Sequence, residues 1–187
     1  MHNLDATYKQ WVADLKEKVR SAQLKAAVSV NSHLIQLYWD FGKMITEKQT
    51  AWGTGFLQQL AKDLIAEFPD INGFSLRNLK YCRYFFQFYS NVIGQQAVAQ
   101  IVKTPLADLQ GEQLLNQLFV TQIPWGHNIL IFTKSTSFGE SQFYIQQTIQ
   151  NGWSRSTLAL QLKTKLYERA GKAVNNFSQT LAPSQSE

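Results

Sequence analysis

The stretch Phe56-Leu57-Gln58-Gln59-Leu60-Ala61-Lys62-Asp63-Leu64-Ile65-Ala66-Glu67-Phe68-Pro69-Asp70-Ile71-Asn72-Gly73-Phe74-Ser75-Leu76-Arg77-Asn78-Leu79 decides how the chain reads. Phe56/Leu57, Leu60/Ala61, Leu64/Ile65 and Phe68 recur with helical period, so one face of this segment is apolar and the other wet. Pro69 ends the helix, because the residue before a proline is pushed out of the α region, and Asp70-Ile71-Asn72-Gly73 reverses the chain. Ser75 then stands where its hydroxyl can cap a second helix on the backbone N–H of Asn78 or its neighbour. On that helix, which runs to Tyr89, Leu79, Cys82, Phe86 and Tyr89 share a face expected to pack back on the preceding helix. Arg77, Lys80, Tyr84 and Gln87 share the opposite face. Two helices joined by a short Gly-containing turn, the second with a basic polar face, form the helix-turn-helix pattern that reads a DNA major groove, and the same pattern serves as plain scaffold elsewhere.

Upstream, residues from about Asp5 to Gln49 read as one long helix or two in series. Trp11, Leu15, Val19, Ala22 and Ala26 recur at threes and fours, and Val30, Leu34, Leu37/Tyr38, Phe41 and Met44/Ile45 form a denser stripe. No Pro or Gly precedes Gly42, so an unusually long helix is allowed. We treat residues 1–50 as a helical arm, with homodimerisation through it or packing on its own domain as the two readings. Gln49 to Gly55 breaks the helix. Downstream, Gln95 to Val102 reads as a short helix, Pro105 to Asp108 as a loop and Gln113 to Leu118 as a helix. The apolar run Ile129-Leu130-Ile131-Phe132 follows Pro124-Trp125-Gly126-His127-Asn128 and is taken as helix. Phe138 to Gln150 is another, and Ser154 caps a last one carrying Leu158, Leu162 and Leu166. The fold class is therefore all-α, with residues 51–170 as helix-turn-helix-like lobes and 171–187 as a polar linker towards a further domain.

An internal echo supports two lobes. Gly73-Phe74-Ser75-x-x-x-Leu79 returns as Gly152-Trp153-Ser154-x-x-x-Leu158, and Trp52-Gly53 is answered by Trp125-Gly126. Glycine supplies the turn, the aromatic residue can staple the helix entry a turn further on, and serine satisfies free N–H groups. Convergence on good capping chemistry would look the same.

Charge points the same way. The chain has 187 residues, 44% of them hydrophobic and 13% aromatic, enough for a bulky core, and a formal charge of +5 that suits an anionic partner. Its distribution is uneven: Ile71 to Ala107 contains no Asp or Glu but holds Arg77, Lys80, Arg83 and Lys103. Ser141 to Tyr167 likewise lacks acids and holds Arg155, Lys163 and Lys165. The lone cysteine, Cys82, reads as a small buried hydrophobe, and the sequence shows neither a secretory signal nor a membrane span, so a cytoplasmic protein is expected. His2, His33 and His127 lack ligand-spaced Cys or carboxylate neighbours, and His127 reads as a hydrogen-bonded structural residue. Phosphate loops and nucleophile elbows are missing, and Asp14-Leu15-Lys16, the nearest scrap of a nuclease motif, sits on a helix. No catalytic residue, metal or cofactor is assigned.

Several of these segments together carry a resemblance. Val30-Asn31, Leu37-Tyr38-Trp39-Asp40-Phe41-Gly42-Lys43, Trp52-Gly53, Leu60-Ala61-Lys62-Asp63-Leu64, Phe68-Pro69, Gly73 to Leu79, Pro124 to Asn128, Phe143-Tyr144 and Gly152-Trp153-Ser154-Arg155 with Leu158 resemble the N-terminal domain of the bacterial YhcG-like family. The likeness covers about Tyr8 to Phe177. It implies a helical, DNA-engaging domain that precedes a PD-(D/E)XK nuclease domain, which is not in this sequence, so no catalysis is carried onto these residues.

The expected function is thus to bind double-stranded DNA and position a nuclease domain. Arg77, Lys80, Arg83, Tyr84 and Gln87 are expected to face DNA, Asn78 to cap or touch bases, and Arg155, Lys163 and Lys165 to meet phosphate in the second lobe. The rival class is a protein assembly or dimerisation module whose Trp and Phe surfaces meet a partner chain.

Overall fold

The computed structural model describes residues 6–53, 55–93 and 111–171, and every regular element among them is helical. The helix and loop expected at 95–108, and the linker beyond 171, lie outside the described residues. In chain order the elements are α1 (Ala6–Trp52), α2 (Phe56–Glu67), α3 (Leu76–Ile93), α4 (Gly111–Gln117), a 3-10 turn at Val120–Gln122, α5 (Trp125–Lys134), α6 (Phe138–Asn151) and α7 (Arg155–Lys163). Residues 166–171 add a last short helical segment. The run at Ile129 to Phe132 is helix, and α1 is one unbroken helix of 47 residues.

Burial divides the arm expected at 1–50. From Asn31 onward α1 belongs to the body: Ile35 and Trp39 join Phe85 and Tyr89 of α3, Leu114 and Leu115 of α4, Ile131 and Phe132 of α5, Tyr144 and Ile145 of α6 and Leu158 of α7 in one core. Before it, most of the helix is exposed, Trp11, Leu15 and Val19 included. That half packs on nothing in the body that the described residues provide. Of the face expected to pack on α2, Leu79 joins Ile45, Leu57 and Ala61 in a smaller cluster, with Leu76 of α3 packed against it. The rest of α3 lies against α1 and α5. Trp39 meets Phe85 and Phe86 edge-on at 5.7 and 4.8 Å between ring centres, geometries favoured by the ring quadrupole.

α1 and α3 approach closely at Gly42, where a Cβ would run into the carbonyl oxygen of Cys82 and stand 2.7 Å from Phe86 Cβ. Only glycine lets the two backbones come this near. Cys82 is fully buried there, and burial pushes its thiol up to about 12. The folded thiol then keeps its proton while the unfolded one loses it above its usual 9.0. Stability contributed by this group is full below pH ~9 and is expected to fall by about 1.4 kcal/mol per pH unit from there towards 12. Burial also raises Tyr38 and Tyr89, with the same sign. Urea midpoints at pH 8 and pH 10.5 check this, and Cys82→Ala should remove part of the drop.

The echo is structural at its second half. Gly73 and Gly152 both take positive φ, +115° and +59°, which favours glycine. Ser75 Oγ accepts from Asn78 N–H at 3.3 Å and Ser154 Oγ from Thr157 N–H at 3.2 Å, and Leu79 and Leu158 follow, both fully buried. The ring of Phe74 meets Phe41 of α1 and Phe68 just past the end of α2. The first half of the echo fails, because Trp52-Gly53 closes a helix and Trp125-Gly126 opens one. The two connections also differ in length, eight residues between α2 and α3 and three between α6 and α7.

Candidate nucleic-acid interface

Three helix starts gather at one corner of the body. The side chain of Asn78, in the first turn of α3, accepts a hydrogen bond from Trp125 Nε1 at 2.7 Å, and Trp125 is the first residue of α5. A Cβ on Gly126, the next residue, would lie 3.5 Å from Cδ of Arg155, which opens α7. His127 Nε2 donates to the carbonyl of Trp153 at 2.9 Å, tying α5 to the turn before α7. His127 is thus the structural residue its sequence context suggested. The N-terminal end of a helix carries about half a positive charge, and anions gather there. None of the three starts holds an acidic residue in its first turn.

Two asparagines fix this corner from behind. Asn128 is fully buried and donates to the carbonyls of Val120 and Ile123 at 2.9 and 3.2 Å. Asn31 of α1 donates to Thr121 and Ile123 at 2.8 and 3.1 Å. Together they hold the 3-10 turn that leads into α5. Neither role was read from the sequence; the signal was an amide set inside an apolar run, which must find partners if buried.

The residues expected to bind DNA divide by environment. Arg77 and Lys80 are exposed, and among the described residues neither forms an ion pair. Arg77 Nε and Nη2 donate to the Tyr81 hydroxyl at 3.3 and 3.2 Å, and its guanidinium lies 5.6 Å from that ring's centre, so a phenol rather than a carboxylate braces it. Tyr84 is exposed on the same strip, with Gln87 and Arg83 half-buried at its edge. Asn78 is half-buried and engaged at both ends: besides accepting from Trp125, it donates to the carbonyl of Gly73 at 2.7 Å. It does not help to cap α3, because Ser75 does that; it fastens the bend to α5. Arg155 is exposed at the corner, while Lys163 stands at the other end of α7. Lys165 is held by Glu168 at 2.8 Å in a left-handed turn at φ +53°, and that carboxylate raises its pKa. Among the described residues no three His, Cys, Asp or Glu side chains are grouped to hold a metal ion, and no helix is long and apolar enough to cross a membrane.

Fold and corner meet known proteins at this point. A family described as the DUF1016 N-terminal domain matches residues 14–169, and the chain belongs to it. Over 177 residues the chain is 27% identical to the Escherichia coli (strain K12) protein named "Putative nuclease YhcG", an alignment covering 88% of this chain and 47% of that protein. The chain thus spans about half the length of that relative. No solved structure matches it.

Proposed function

We propose that this chain is a DNA-binding module that seats the phosphate backbone of a duplex on the corner where α3, α5 and α7 begin, and holds a nuclease domain of a longer protein in place. The observation that carries this reading is the joining of three acid-free helix starts beside exposed Arg77, Lys80 and Arg155. Preorganised N–H dipoles and cations at one place are what a sequence-independent polyanion contact requires. Tyr84 adds a hydrogen-bonding phenol to the same strip. The relative's printed name supports the link to nucleic acid. Of the two helix pairs, α6 and α7 keep the short turn of a helix-turn-helix, so α7 is the better groove element and α3 the backbone clamp. The reading places the protein in the cytoplasm with its DNA, and gives catalysis to no residue of this chain.

Fluorescence anisotropy with a random duplex, from about 50 to about 200 mM salt, tests it. Affinity should fall log-linearly with salt. Arg77→Ala, Lys80→Ala and Arg155→Ala together should make the slope shallower by roughly 2–3, close to one per lost phosphate contact. Lys165→Ala should change little, its charge being engaged by Glu168. Equal slopes for the triple variant and the parent would refute the assignment.

A further inference from the structure

The face of α1 that turns away from the body repeats every eleven residues. Tyr8, Val19 and Val30 form one series, whose next member, Phe41, turns into the body against Phe74, and Trp11, Ala22, His33 and Met44 form another, three residues on. Leu15, Ala26 and Leu37 complete it. Eleven residues make just over three turns, so the pattern drifts slowly and keeps to one side of a straight helix for its run of roughly 55 Å. The body takes the other side through Ile35, Trp39 and Ile45. Among the described residues nothing covers the stripe: Trp11 is 58% exposed, Val19 51%, Val30 70% and Met44 61%. The large side chains alone present on the order of 600 Å² per chain, at the upper end of an ordinary monomer's largest patch and approaching the ~800 Å² that each partner of a stable interface buries.

We propose that this stripe pairs with the same stripe of a second copy, antiparallel, about a two-fold axis near Ser32. In that register Val19 faces Met44, Ala26 faces Leu37 and Val30 faces His33, so smaller residues meet larger ones along the seam. The flanking charges select the direction. Lys18 and Lys25 each stand just before a stripe residue, and the exposed Asp40 and Glu47 continue that flank. The antiparallel register sets Lys18 against Glu47 of the second copy and Lys25 against its Asp40, giving four ion pairs by symmetry. A parallel pair would instead lay the basic half of α1, with Lys9, Lys16, Lys18, Arg20 and Lys25 against only Asp14 and Glu17, upon itself. Two-fold pairing places the two α3–α5–α7 corners at opposite ends of one rod, a geometry for gripping duplex at two points. The pairing rests on α1 alone and stands whether or not the corner binds DNA.

Sedimentation of the full chain is the test. The expected mass is twice the 21.4 kDa of one chain. Val19→Glu with Val30→Glu should give a monomer of unchanged helicity, since both residues are exposed in a single copy. Lys18→Glu with Lys25→Glu, and separately Asp40→Lys with Glu47→Lys, should each weaken self-association by roughly 10- to 100-fold, and mixing the two variants should restore it as a heterodimer. A parent chain still monomeric at about 100 µM would overturn the proposal and leave the stripe to another domain or a different protein. So would a dimer that survives the glutamates, or charge variants that fail to rescue one another.

Discussion

Gly42→Val is expected to leave the chain largely unfolded, with urea midpoint and near-ultraviolet signal both collapsing. Two effects compete at this position. Removing a glycine from a helix interior favours the helix by up to about 1 kcal/mol. Against it, any Cβ here collides with the carbonyl of Cys82, a backbone atom that cannot rotate away, and crowds Phe86. Overpacking against a fixed backbone costs about 1–3 kcal/mol for a single methyl and more for a branched side chain. The α1–α3 crossing joins the core at Trp39 and Phe85 to the smaller cluster at Ile45 and Leu79, so parting it opens both. Gly42→Ala should show the smaller version, a net loss of about 1–2 kcal/mol. Parent-like stability in both variants would show that the two helices can separate there without cost.

Asn78→Ala is the second large effect, expected to cost about 2–4 kcal/mol. The substitution leaves the Trp125 indole N–H without its acceptor and the Gly73 carbonyl without its donor, in a region where the Tyr38 and Trp125 rings meet tilted at 46°, 4.7 Å between ring centres. Each orphaned group carries a desolvation penalty that the lost alkyl contacts add to. Asn78→Asp keeps the acceptor and loses the donor, and should fall between parent and alanine. Both are read by chemical denaturation. DNA affinity of the folded fraction should stay near the parent's, because this amide faces Trp125 and not the solvent; a specific loss of affinity at full stability would return Asn78 to the contact set.

What the sequence made legible was local. Helical period and capping depend on residues three or four apart, so α2, α3, α6 and α7, the serine caps at Ser75 and Ser154 and the exposed strip of Arg77, Lys80 and Tyr84 could be read directly. What could not be read depends on residues far along the chain. Nothing near Asn78 announces that Trp125, 47 positions away, will occupy its oxygen. The width of the buried band on α3, which takes in Phe85 as well as Cys82, follows from having α1 on one side and α5 on another. The acid-free window around Lys165 points to phosphate but closes at Tyr167; Glu168 stands one residue beyond, and the break at residues 164–165 brings it within reach. The motifs that carry the family resemblance proved to be largely architecture: Asn31 and Asn128 hold the turn before α5, Gly42 the helix crossing, and Gly73 and Gly152 the bends.

In the proposed function an anionic backbone seats itself where α3, α5 and α7 begin. Backbone hydrogen exchange with and without a saturating random duplex measures that directly. The prediction is slowed exchange in the first turns of those three helices, around Arg77, Gly126 and Arg155, with α2 and the middle of α6 unchanged. Protection confined to α1, or none anywhere at saturating DNA, would contradict it.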